Sequence, residues 1–109
     1  MNFRTWLETQ ADLDTAMLLK RSADESGSQF LISPNGDTYS LIGFSVQEKG
    51  NGIGTRVMRK LISKADELGI SLSLKADTER NVEFYSRFGF IFDPEFSKES
   101  LRMIRHPKN

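Results

Sequence analysis

The feature that most constrains this chain is the run Lys49-Gly50-Asn51-Gly52-Ile53-Gly54, which stands between a segment with strand alternation and a helical stripe. A strand that turns through glycines into a helix aims several backbone N–H groups, and the positive end of the helix dipole, at one spot. Such a nest binds phosphate. Arg56, Arg59, Lys60 and Lys64 follow within the helix and add positive charge nearby. Two plainer readings stand beside this one, since glycine also serves tight turns and basic residues on a helix usually form a solvated face. The nucleotide motifs do not fit. Walker A needs Gly-Lys-Ser/Thr after the loop, but Gly54 is followed by Thr55 and Arg56. The dinucleotide fingerprint needs glycines spaced G-x-G-x-x-G in a larger parallel sheet, whereas these fall at 50, 52 and 54 of a short chain.

The flanking pattern sets the fold class. Phe3, Trp6, Leu7, Ala11, Leu13 and Met17 recur at helical spacing, and Thr5 with Glu8 fits a capping box, so residues 5–24 read as one helix or two short ones. Phe3, Trp6 and Met17 are expected in the core. Residues 29–32 and 38–46 flank Pro34-Asn35-Gly36-Asp37 and read as a β-hairpin, with Ile42, Phe44 and Val46 on one face and Tyr39 and Leu41 on the other. Ile53, Val57, Leu61, Ala65 and Leu68 mark a helix that stops at Gly69. Ile70, Leu72, Leu74 and Ala76 alternate with polar residues, the period of a strand with one buried face. Thr78 caps a short helix to Phe88; strands follow at 90–92 and 100–105. Strands alternating with helices, joined to a hairpin, predict one α/β domain over residues 1–109 with a mixed sheet and helices packed on it.

Composition removes several functions. With 109 residues the chain holds one core of ordinary domain size, and it has no Cys, which excludes disulfides, a thiolate zinc site and a cysteine nucleophile. Fifteen basic and fifteen acidic residues cancel, which argues against nucleic acid or an anionic membrane as partner. The halves differ in sign: residues 1–48 carry three basic and seven acidic side chains, residues 49–109 twelve and eight, giving −4 and +4. Neither a signal peptide nor a spanning apolar run is legible, so a cytoplasmic protein is expected. The single histidine, His106, reads as a solvated residue near the end of the chain.

The glycine run resembles the signature of the GNAT superfamily of acyl-CoA-dependent N-acyltransferases, Arg/Gln-x-x-Gly-x-Gly/Ala, with Lys49 in the first position. Asn81 followed by Phe84-Tyr85-Ser86-Arg87-Phe88-Gly89-Phe90 is similar to a second feature of that family. The resemblance covers about residues 38–105, weakens upstream, and suggests a compact, N-terminally shortened member. It implies a mixed sheet of about five to six strands with a splayed central pair, the pantetheine arm of acetyl-CoA entering the splay. Backbone groups of Phe44, Ser45 and Val46 would pair with pantetheine. Lys49, Gly50, Asn51, Gly52, Ile53, Gly54 and Thr55 would hold the diphosphate, and Asn81 either touches the coenzyme or satisfies amides at a helix start.

The same resemblance implies that Tyr85 lies near the thioester sulfur as general acid; as a helix aromatic it would otherwise pack with Phe84 and Phe88. The implied activity is transfer of acetyl to a primary amine, on a protein or a small molecule, in a ternary complex without a metal. The acidic first half favours a cationic acceptor. Asp37, Glu48, Asp77 and Glu83 are the acids on offer as a base, and no spacing selects among them. An inactive coenzyme-binding or interaction protein on the same fold is the alternative, and monomer and homodimer both fit.

Overall fold

The computed structural model describes residues 3–23, 30–44 and 52–108. In chain order these form α1 (Phe3–Ala23), β1 (Leu31–Asn35), β2 (Thr38–Ile42), α2 (Ile53–Leu68), β3 (Ser71–Lys75), α3 (Glu79–Ser86), β4 (Ile91–Phe92), a single 3-10 turn (Lys98–Ser100) and β5 (Arg102–Arg105). The strands make one mixed sheet in the order β1-β2-β3-β5-β4, with β2 and β3 parallel and the other neighbours antiparallel. Five strands therefore lie among the described residues, within the expected five to six.

Strand and helix faces follow from alternation. Tyr39 and Leu41 of β2, Leu72 and Leu74 of β3 and Met103 and Arg105 of β5 are buried. Thr38, Ser40, Ser71, Ser73, Arg102 and Ile104, between them in sequence, are half-exposed on the opposite face. Both parallel crossovers, β2 to β3 and β3 to β4, step the same way along the sheet, so right-handed connections put α2 and α3 on one side of it. Val57, Met58, Leu61 and Ala65 of α2, Tyr85 of α3 and Ala16, Leu19 and Ala23 of α1 share one core with that face. The face bearing Ser40 and Ser73 is left open.

Several expectations change in detail. The hairpin closes on a shorter loop, because Asn35 pairs with Thr38 and leaves only Gly36 and Asp37 between the strands. Pro34 is tolerated in β1 since that strand is an edge. On α1 the buried stripe is Ala16, Leu19 and Ala23, while Phe3 is 74% and Met17 58% exposed, contrary to the core role expected of them. Of the bulkier stripe read from the sequence, Phe3, Leu13 and Met17 are exposed. The side chains of Thr5 and Trp6 lie outside the described residues. Leu68 is likewise exposed rather than core, as it stands at the last position of α2, where Gly69 and Ile70 turn the chain away. Their N–H groups bond the carbonyls of Asp66 and Ala65, the Schellman pattern that closes a helix on a glycine.

Candidate active site

The parallel pair β2–β3 is a fork. Its partners run Thr38–Ser71, Tyr39–Leu72 and Ser40–Ser73 and then stop, although β2 continues to Ile42 and β3 to Lys75. At the closed end the Ser73 hydroxyl lies 2.8 Å from that of Ser40 and 3.3 Å from that of Thr38, so side-chain hydrogen bonds hold the last rung together. Beyond it β3 keeps its pairing to β5, and β2 its pairing to β1, so the gap opens between two strands that are each anchored on their far edge. A cavity of about 440 Å³ sits at this gap, lined among others by Ser40, Leu41, Ile42, Gly43, Lys75 and Asp77.

Gly43 decides how β2 leaves the sheet. Its φ of +73° lies in the left-handed region, which ends the extended strand at Ile42 and shifts the side-chain alternation by one. Phe44 therefore does not share a face with Ile42, as expected of an unbroken strand, but turns to the core side. There its ring meets Phe30 edge-on at 5.9 Å and Tyr85 at 6.2 Å between centroids. Two candidates 41 positions apart, one expected to bind the coenzyme and one expected to protonate it, thus touch. Ser45, Val46, Lys49, Gly50 and Asn51, together with Glu48, lie outside the described residues, as does the side chain of Ile53.

The start of α2 has the features that an anion requires. Gly52 occupies the cap position with φ +77° and supplies no side chain to the first-turn amides, and that turn contains no acidic residue. A Cβ at Gly52 would come 3.3 Å from Nη1 of Arg56, whose guanidinium is folded back over the helix start. The positive end of the helix dipole favours an anion at such a position. At Gly54 an added Cβ would meet nothing within 4 Å, so no part of the described fold requires glycine there. Next to this turn a groove of about 360 Å³ runs between Thr55, Arg59 and Ile62 of α2 and Phe84, Arg87 and Phe88 of α3, with Lys108 at its edge. Of the four cations expected to face a polyphosphate, Arg59 lines this groove, while Lys64 pairs with Glu67 at 3.2 Å.

The groove has a rigid floor. Arg105, 2% exposed, donates to both carboxylate oxygens of Asp66 at 2.8 and 3.0 Å and through Nε to the Phe88 carbonyl at 2.7 Å. Asp66 also accepts from the Lys108 backbone N–H at 2.9 Å. The Arg105 hydrogen bonds hold the Asp66 carboxyl below its ordinary value. This network ties α2, the α3 exit and β5 together. Sequence reasoning missed it, as it missed Arg87 and Lys108, because their neighbours in space are distant along the chain.

Tyr85 is 3% exposed and packs against Phe84 and Phe90 as well as Phe44. Burial, reinforced by the charge of Asp77, pushes its phenol up to about 12. The packing role is thus observed, and through Phe44 it reaches the residues that follow β2. Asn81 lies one turn into α3, where its backbone N–H is accepted by the Thr78 hydroxyl at 3.2 Å; Thr78 is the cap, not Asn81. Among the acids weighed as a base, Asp77 lines the fork cavity, Asp37 sits at the hairpin tip and Glu83 is exposed on α3. His106 is exposed, with its Nδ1 3.1 Å from the Ser71 hydroxyl. No group of His, Asp and Glu suited to hold a metal occurs among the described residues.

A profile of the Acetyltransferase (GNAT) family matches residues 4–90, most of the chain. The chain belongs to the GNAT acetyltransferase family. The match begins well upstream of residue 38, so it takes in α1 and the hairpin that the sequence resemblance left aside. No curated protein matches. Among solved structures, N-acetylglutamate synthase from Neisseria gonorrhoeae, complexed with coenzyme A and L-arginine, superposes with a TM-score of 0.53 at 19% identity. The alignment covers 79% of this chain and 24% of that one, so this GNAT chain spans about a quarter of the synthase. At that identity the likeness establishes the fold: a mixed sheet, flanked by helices and not closed. Among the described residues no helix is long and apolar enough to cross a membrane.

Proposed function

We propose that this GNAT protein is an N-acetyltransferase that moves acetyl from acetyl-CoA to a primary amine by direct attack in a ternary complex. The observation that carries the reading is the meeting of Phe44, at the end of the forked strand, with Tyr85. It sets a phenol against a residue just beyond the end of the forked strand. The residues present fit the coenzyme. Leu41 to Phe44 offer backbone groups on the side of β2 where pairing to β3 has ceased. The amides of Gly52 to Thr55 face the diphosphate, and the groove between α2 and α3 supplies Arg59, Arg87 and Lys108 for the remaining negative charge. Ser45, Val46, Lys49, Gly50 and Asn51 belong to the same proposed surface.

The chemistry then divides among the chain's own groups. An amine with an ordinary lysine pKa is neutral in only about one molecule in 2,500 at pH 7, which amounts to roughly 4.6 kcal/mol. Asp77, at the gap, is the acid placed to hold the ammonium and accept its proton, directly or through water. A backbone N–H at the end of the forked strand stabilises the oxyanion. Tyr85 stays protonated throughout the physiological range because of its raised pKa. With a thiol near 8.5 as reference, outright transfer from a phenol of about 12 is uphill by about 5 kcal/mol. Its role is therefore to donate a hydrogen bond to the departing sulfur. The test is thiol release from acetyl-CoA with a panel of amines. Release that depends on both amine and Tyr85 is expected, and coenzyme binding without release by any amine would favour an inactive binding protein.

A further inference from the structure

The open face of the sheet carries a charge arrangement that neither the fold nor the coenzyme uses. Lys75 of β3 and Arg102 of β5 are direct cross-strand partners, so their side chains leave the same face side by side. Like charges placed opposite one another in a sheet oppose folding. No ion pair to either occurs among the described residues. The Arg102 guanidinium lies over the Phe96 ring, 4.9 Å from its centroid, a cation–π contact that uses none of its N–H groups as hydrogen-bond donors. Both cations line the fork cavity together with Asp77, two residues beyond Lys75 and thus on the same side of the strand direction.

A cavity with two cations and one anion matches a small molecule bearing the opposite set. We infer that the acceptor at this fork is a free amino acid, its carboxylate held by Lys75 and Arg102 while Asp77 takes its ammonium group. This rests on the acyltransferase reading and narrows its acceptor. It departs from the cationic acceptor that the acidic first half of the sequence favoured, because the charges at the fork come from the second half. Arg102 forms a bidentate pair with a carboxylate, Lys75 adds a point charge, and Asp77 holds the nitrogen toward the gap between β2 and β3. In the transfer the nitrogen–carbonyl bond forms and the carbon–sulfur bond breaks. Of the two protons the ammonium loses, one goes to the thiolate and one, by way of Asp77, to solvent.

The experiment compares α-amino acids with their carboxamides and with the amines left by decarboxylation, as acceptors and as ligands followed by amide and side-chain NMR shifts. At least tenfold higher kcat/KM for the amino acids is expected, with shifts at Lys75, Asp77 and Arg102. In Lys75→Gln and Arg102→Gln the ratio of amino acid to carboxamide falls toward one. Equal use of acid and amide by the wild type overturns the inference without any variant being needed. So does a loss of coenzyme affinity in the two variants with the acid-to-amide ratio intact, for the cations would then serve the coenzyme. Coenzyme binding without thiol release counts against the enzymatic reading alone, and the NMR comparison of acid with amide still decides the carboxylate preference.

Discussion

Replacing Gly54 by leucine sets the fold and the ligand against each other. Gly54 is the second residue of α2, its φ is not positive, and a Cβ there meets nothing within 4 Å. Glycine is about 1 kcal/mol worse than alanine in a helix and leucine is close to alanine, so the exchange stabilises the fold by up to roughly 0.7 kcal/mol. For a domain of this size that corresponds to a rise in Tm of about 3–5 °C. The coenzyme should respond oppositely. A diphosphate oxygen accepting from first-turn amides must sit about 2.9 Å from nitrogen, within the space a leucine side chain fills. Loss of two charge-assisted hydrogen bonds, at about 1.5–3 kcal/mol each, weakens coenzyme binding by about a hundredfold or more. Thermal melts and titration calorimetry on the same samples read both quantities. A leucine variant that binds within about threefold of the wild type would refute the placement of the diphosphate, whatever its Tm. Gly52→Ala provides the contrast: its φ of +77° strains any side chain, so stability should drop by about 1–2 kcal/mol.

Tyr85→Phe keeps the ring packing and removes one hydrogen bond to a developing thiolate. Turnover should fall about 10- to 100-fold with little change in either KM, and undiminished turnover would remove Tyr85 from its role. Asp66→Ala strands the buried Arg105 charge and should lower stability by about 3 kcal/mol in denaturant unfolding, less if the guanidinium finds water. The wild type should also show the linkage. The folded carboxyl lies below 3.8, so its contribution is complete above the unfolded value and is lost as pH falls through the lower folded one. That part of the acid slope should be absent from the alanine variant; identical slopes would count against the ion pair.

Much of the architecture is legible in the sequence where pattern and geometry coincide. Ile70 to Ala76 alternate because one face of β3 is buried, and α2 ends at Gly69 because Gly69 and Ile70 take its last free carbonyls. Legibility fails where a single backbone angle or a distant neighbour decides. Gly43 resets the alternation of β2 and so brings Phe44 to Tyr85, a consequence invisible in a pattern of apolar residues. On α1 the buried residues among those described are Ala16, Leu19 and Ala23, while Phe3 and Met17 are exposed, so apolar character alone does not mark the packed face. Arg105 reads as a surface cation in a strand yet is buried, because Asp66 lies 39 positions earlier. That Asp77 lines the fork while Asp37 and Glu83 do not is likewise a matter of tertiary placement, since the fork lies between two strands that are separated in sequence by α2.

The most direct test follows the backbone amides of the labelled protein while acetyl-CoA is added. Saturable shifts should appear first at Gly52 to Thr55 and at Leu41 to Phe44, with smaller ones along the α2–α3 groove. Unmoved amides at both places, at coenzyme concentrations that perturb other parts of the protein, would contradict the account.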